Sequence, residues 1–297
     1  MPDEELLAGA AKKKLSEPAV LRAQVERMLK SGKAHGFVEN FTGQWLDLRS
    51  IDATTPDKKL YPEADELLKV SMVQESEAFF AELLNGDLAV ANVIHSDFAM
   101  LNSRLAAHYE IPGVNGEQFR KVKLPAESPR GGVLTQAAVL KVTANGTTTS
   151  PVLRGAWVLK RLLGRPPAPP PPGIGSIEPD TRGATTVREQ LAKHRDSETC
   201  ASCHREIDPP GFALEAFDVI GGFREHYRSQ GEGKMVTVKN ALQQRLYVKL
   251  GPPVDSTGEL SDGQAFANIQ EYKRLLLNDP DQVLTALAGI LVTYATG

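Results

Sequence analysis

Cys200-Ala201-Ser202-Cys203-His204, followed by Arg205-Glu206-Ile207-Asp208-Pro209-Pro210-Gly211-Phe212-Ala213-Leu214-Glu215, is the stretch of this 297-residue chain whose reading decides its class. Two thiols separated by two residues fall within one helical turn, where they can reach the two vinyl groups of a haem. A histidine directly after the second thiol approaches the iron from the same side. Residues 198–206 are compatible with a short helix capped by Ser197. The chain holds two cysteines and both lie in this motif, so a disulfide framework does not organise the fold. Zinc would need two more ligands; no cysteine remains to supply them, and His194 is poorly spaced. A thioredoxin-like redox pair would need a βαβ context, which the surroundings do not suggest. The motif therefore reads as covalent attachment of haem c at Cys200 and Cys203, with His204 as the proximal ligand to iron.

The flanks extend this reading. Ile207, Phe212, Leu214 and Phe217 offer an apolar wall for a macrocycle. Asp208-Pro209-Pro210 predicts an extended turn after the histidine, and a backbone carbonyl in that turn is a candidate acceptor for the His204 Nδ1–H. The alternative is that the prolines simply end the helix. Function depends on the sixth iron ligand. A closed site suits electron transfer, and an open one suits peroxide or oxygen chemistry. His108, Met72 and Met235 are the candidates, each with a plainer alternative: a hydrogen-bonded core histidine, a packing methionine and an exposed loop residue. Arg130, Arg154 and Arg224 read as structural ion pairs or as partners of haem propionates. Glu75 and Glu77 read as solvated or locally paired.

Working outward, the chain is rich in helix signals. Ser16 is a candidate cap with Pro18 in the first turn. Phe37, Val38, Phe41, Trp45 and Leu46 mark a second amphipathic helix, and Leu68, Met72, Phe79 and Leu83 mark a third over residues 63–84. A short fourth begins near Asn102. The apolar run Val133–Val142 is left open between strand and helix. Ser150-Pro151 opens a helix that Gly164 closes. Six prolines between Pro166 and Pro172 favour an extended connector, with a docking peptide as the alternative. Thr186 and Glu189 form a possible capping box. Residues 236–250 and 254–260 suggest hairpins, and two helices close the chain over about 269–278 and 280–296. The net charge of −3 gives no reason to expect a nucleic-acid partner, and no apolar run reaches the roughly 20 residues of a transmembrane helix. The acidic N-terminus lacks the features of a signal peptide.

Several of these stretches together resemble one family. They are Glu39-Asn40-Phe41 with Gln44-Trp45-Leu46, Leu101-Asn102 with Leu105 and His108-Tyr109, and Arg130-Gly131-Gly132-Val133-Leu134. Thr149-Ser150-Pro151-Val152-Leu153-Arg154-Gly155 with Trp157, the proline run, residues 200–218 and Val254-Asp255 with Gly258 complete the set. In them the chain resembles the planctomycete-type multidomain c-type cytochrome proteins, which join helical domains of unknown function to a cytochrome-like domain. The resemblance implies a mainly α fold: a helical domain over residues 1–125, a helical cytochrome c-like haem domain over 126–228, and a small α+β segment over 229–297 that is a truncated end. It implies an exported, periplasmic protein bearing haem c, within a larger polypeptide of which this chain is a fragment; the leading reading of its role is an electron-transfer module serving a redox partner protein. The alternatives are a peroxidase- or oxidase-like haem enzyme with an open distal site, and a helical scaffold with a structural haem.

Overall fold

The computed structural model describes residues 2–169, 186–194 and 198–297. The expected cap Ser197 and the last prolines of the connector lie outside them. About 49% of the chain is helix and 13% strand, so the protein is mainly α with a small β part.

The chain begins with α1 (Glu4–Ala11) and α2 (Pro18–Leu29), neither of which buries a residue. Pro18 takes the first helical position as expected, but the residue before it is Glu17, because Ser16 ends a short 3-10 turn. Next come α3 (Ala34–Trp45), α4 (Glu66–Asn85), α5 (Ala91–Ile94), β1 (Phe98–Leu101), α6 (Ser103–His108) and β2 (Arg120–Lys123). Asp65 caps α4 by accepting the Leu68 N–H at 2.7 Å, and Asn102 caps α6 through the Leu105 N–H at 2.9 Å. Phe41 stacks on Trp45 and lies tilted against Phe80, and Tyr294 from the end of the chain meets it edge-on at 5.4 Å. The first and last helical regions thus share one aromatic nest.

The ambiguous run resolves as a 3-10 turn, Val133–Thr135, leading into α7 (Ala137–Val142). Helix α8 (Pro151–Trp157) has Ser150 as its cap and proline first, and continues as a π-helical turn over Val158–Leu162. Gly164, at φ +65°, stops it as the sequence suggested. The capping box forms at the start of α9 (Val187–His194): Glu189 N–H donates to Thr186 Oγ1 at 3.2 Å, and Thr186 N–H donates to the Glu189 carboxylate at 2.6 Å. Helix α10 (Glu198–Ala213) carries the cysteine motif and runs through Pro209 and Pro210.

The remainder is β3 (His226–Ser229), β4 (Lys234–Lys239) and β5 (Arg245–Pro253), an antiparallel sheet in the order β3-β5-β4. The expected hairpin within 236–250 is the β4–β5 pair. The one expected over 254–260 is displaced: β6 (Gly258–Glu259) pairs with β7 (Ala265–Phe266) across a longer loop. Helices α11 (Ile269–Leu277) and α12 (Pro280–Thr296) end the chain almost where the sequence placed them. Among the described residues no single helix is long and apolar enough to cross a membrane; α11 and α12 reach that length only together, bent by 82°.

Candidate functional site

Helix α10 has two halves in different surroundings. From Ala201 to Glu206 it is half-buried or exposed, with Cys203 facing solvent; from Ile207 onward the chain is buried without a break to Gly221. The two prolines sit just past this boundary. Each removes the N–H that would bond four residues back, so the carbonyls of Arg205 and Glu206 lose their helical donors. Both residues are exposed, where water satisfies such carbonyls. That is why the helix continues where an extended turn was expected.

The buried half is held by close contact with α8. A Cβ on Gly155 would stand 1.7 Å from the Ile207 carbonyl oxygen, and one on Gly211 would stand 1.9 Å from that of Pro151. Two glycines therefore let the backbones touch. Arg154, fully buried one residue before Gly155, donates to the carbonyls of Leu214 and Phe217 at 2.7 Å each and Asp218 at 3.0 Å. These carbonyls lie past the last helical residue, Ala213, in the buried segment that leads away from α10. Glu215 accepts from Thr149 Oγ1 at 2.8 Å and Tyr227 OH at 3.0 Å, and Arg224 pairs with it at 3.4 Å. Arg130 donates to the carbonyls of Thr135 and Gly221. All three arginines are structural, the plainer of the two readings. Ile207, Leu214 and Phe217 belong to the main core, and Phe212 is covered by the Arg188 guanidinium at 3.8 Å. They are consumed by packing and leave no open apolar wall.

His204 is positioned from within the same helix. Its Nδ1 lies 2.9 Å from Oδ1 of Asp208, one turn on, and the Asp208 side chain is fully buried. A carboxylate accepts, so Nδ1 carries the proton. A partner of this histidine is thus a buried side chain, and the extended turn whose carbonyl the prolines suggested does not form, because the helix continues. Cys200 lies on the same helix, three residues before Cys203.

The candidate sixth ligands are scattered. Met72 is 1% exposed in the core face of α4, and Met235 is 59% exposed on β4. His108 donates Nε2–H to the Ile220 carbonyl at 2.7 Å, and burial lowers its pKa to about 4. It also lines a cavity of about 1080 Å³ with Tyr109, Arg130, Asp218 and Arg228, and neither Cys203 nor His204 lines that cavity.

One buried polar cluster escaped the sequence reading. Glu75, read as solvated or locally paired, is 2% exposed and accepts from Tyr109 OH at 2.5 Å. That hydroxyl accepts the Ala137 N–H at 2.8 Å, and the Arg130 guanidinium lies 3.7 Å over the ring. Desolvation pushes the Glu75 pKa up to about 8, against the opposing pull of the Tyr109 hydrogen bond. The signal was available: Glu75 stands three residues after Met72 and four before Phe79, on the stripe that predicted the buried face. Among the described residues no group of three or more histidine, cysteine or acidic side chains could hold a bare metal ion.

The fold and site define a mainly α protein built around a helix that exposes one cysteine and holds the adjacent histidine on a buried acid. Residues 1–111 match the family described as PSD4, protein of unknown function (DUF1592), and residues 130–227 match PSCyt3, protein of unknown function (DUF1588). The two matches agree with the resemblance to the planctomycete-type multidomain cytochrome proteins. No curated protein and no solved structure matches it.

Proposed function

We propose that α10 is a covalent attachment site for haem c, with thioether bonds from Cys200 and Cys203 and with His204 as the proximal ligand, in an exported electron-transfer module. The observation that carries this is the division of α10. The motif half is exposed or half-buried from Ala201 to Glu206, with Cys203 exposed, while the other half is anchored by Gly155, Gly211 and Arg154. With Nδ1 of His204 committed to Asp208, iron would be taken through Nε2. Haem bound there would supply a one-electron iron couple, and the chain's own part is to fix the ring of its ligand.

A second reading, an open distal site serving peroxide or oxygen chemistry, is favoured by one observation. His108 and Met72 are both engaged inside the fold, one on the Ile220 carbonyl and the other in the core. The test of attachment is expression of the chain behind an export signal with a cytochrome c maturation system, then acid-acetone extraction and a pyridine haemochrome spectrum. Pigment that stays on the denatured polypeptide, and is lost in Cys200→Ala and Cys203→Ala, supports the site; colourless protein overturns it. Carbon monoxide added to the reduced form separates the two functions, since rapid binding marks an open position.

A further inference from the structure

We propose that the cleft between α6 and the β4–β5 hairpin binds an organic acid, a carboxylate carried on a flat apolar ring. The proposal is independent of the haem reading, since neither Cys203 nor His204 lines this cleft.

The cleft is the cavity of about 1080 Å³ that His108 and Tyr109 line, at the upper end of the volumes of small-molecule sites. Its walls come mainly from three parts of the chain. They are the end of α6 with the loop after it, Arg130 with the segment around Asp218 and Phe223, and the hairpin from Thr237 to Arg245.

Charge on these walls is unevenly matched. Five cations, Arg104, Arg130, Arg228, Lys239 and Arg245, face three acids, Glu63, Glu110 and Asp218. Arg228 holds both Glu63 and Asp218, and Arg104 is paired with Asp65 from outside the lining. Arg130, Lys239 and Arg245 form no ion pair among the described residues, and Glu110 is the one acid of the lining left to oppose them.

Arg130 carries the argument because it is only 4% exposed. A buried cation without an acid is costly. Its bonds to the carbonyls of Thr135 and Gly221 use two of the five N–H donors of a guanidinium. The rings of Tyr109 and Phe217, at 3.7 and 4.9 Å, supply π-electron density and no counter-charge. Glu75, bonded to Tyr109, supplies none either: desolvation raises its pKa to about 8, so it keeps its proton at neutral pH. A carboxylate in the cleft provides the missing charge, and its two oxygens match a planar guanidinium. Lys239 and Arg245, exposed on the hairpin, draw an anion in.

The ring follows from Phe223. It lines the same cleft yet is 52% exposed, with its ring set against Phe217 at 5.7 Å and 71°. Ala107, Ile111, Val114 and Val238 add apolar wall. An aromatic side chain so exposed is stabilised when a second flat ring covers it. An inorganic anion would satisfy the cations and leave this surface uncovered.

The test is titration calorimetry on the full chain with three probes: naphthoate, its uncharged amide and inorganic phosphate. Naphthoate is expected to bind with a dissociation constant below about 1 mM, and at least about tenfold tighter than the other two. The double variant Lys239→Gln with Arg245→Gln, and the variant Phe223→Ala, change exposed residues only. Each should weaken naphthoate binding about tenfold while thermal unfolding stays unchanged. Arg130→Lys keeps the charge without the planar fork and should weaken it too; should that variant fail to fold, the two exposed variants decide. Absence of naphthoate binding overturns the proposal. So does equal binding of the amide, which would make the cleft merely apolar, or of phosphate, which would make it a plain anion site. Naphthoate binding that every folded variant leaves intact puts the ligand elsewhere and overturns it as well.

Discussion

Gly155 and Ile207 meet backbone to backbone: a β-carbon on the glycine would fall 1.7 Å from the isoleucine carbonyl oxygen, where ordinary contact is 3.4–4 Å. Nothing flexible lies at that point to move aside, so the whole of α10 would have to retreat from α8. Gly155→Ala is therefore expected to destabilise the protein by about 3 kcal/mol or more, the upper end for overpacking. Gly36 and Gly289 lie in helices with nothing within 4 Å of an added β-carbon. There the same change should be neutral or stabilise by about 0.4–1 kcal/mol. Urea denaturation of the three variants gives the comparison, and equal effects at all three sites would refute this account of the α8–α10 contact.

Arg154 is expected to be irreplaceable for a related reason. Its guanidinium serves the carbonyls of Leu214, Phe217 and Asp218 and stands 3.6 Å from Glu215 with no access to solvent. Arg154→Met leaves those acceptors and a buried acid without a cation, a loss of about 3–5 kcal/mol. Arg154→Lys keeps the charge but cannot present the planar fork, so it should recover less than half. A lysine variant as stable as the parent in thermal unfolding would show that charge alone matters here.

Much of this arrangement was legible in the sequence, and the failures share a cause. Ser150-Pro151, Gly164 and the Thr186–Glu189 pair marked their helix ends correctly because those signals are local: a serine or threonine oxygen meets a backbone N–H three residues on, and the glycine takes a positive φ. The Asp208-Pro209-Pro210 reading failed because the rule that proline ends a helix is also local. Here it is overridden by the α8 backbone and by the exposure of Arg205 and Glu206. His204 was placed by spacing, whereas its partner Asp208 depended on the helix continuing. Glu75 and Arg154 have their roles set by residues distant in sequence, such as Tyr109 and Leu214, and no periodicity supplies those pairings.

Glu75 gives the protein a pH dependence opposite to that of an ordinary surface carboxylate. Its folded pKa, about 8, lies above the model-compound value of 4.5. The folded state therefore holds a proton that the unfolded state has released across that interval. The stabilisation is complete below about pH 4.5 and is lost as pH rises toward 8, with a slope approaching about 1.4 kcal/mol per pH unit. Glu75→Gln keeps an acceptor for Tyr109 and cannot ionise, so the difference in stability between variant and parent should move in the variant's favour from pH 5 to pH 8. Urea midpoints at the two pH values measure it, and a difference that stays constant would mean Glu75 is ionised in the fold.

His108 contributes in the opposite direction, and the same variant examines its claim to the iron. Burial lowers its pKa from 6.5 to about 4 while Nε2–H donates to Ile220. The unfolded chain thus takes up a proton between pH 6.5 and 4 that the folded chain refuses. Stability conferred by the neutral ring is present above pH 6.5 and falls as the pH drops toward 4. Gln in its place can still donate to the Ile220 carbonyl but does not titrate. His108→Gln should therefore lessen the acid sensitivity of folding over that interval. In haem-bearing protein it should also leave the absorption spectrum unchanged, because a ring whose Nε2 proton is committed to a backbone carbonyl does not ligate iron through that nitrogen. A shift from low-spin to high-spin bands in the variant would instead make His108 the sixth ligand, and would require the Ile220 bond to break when haem is attached.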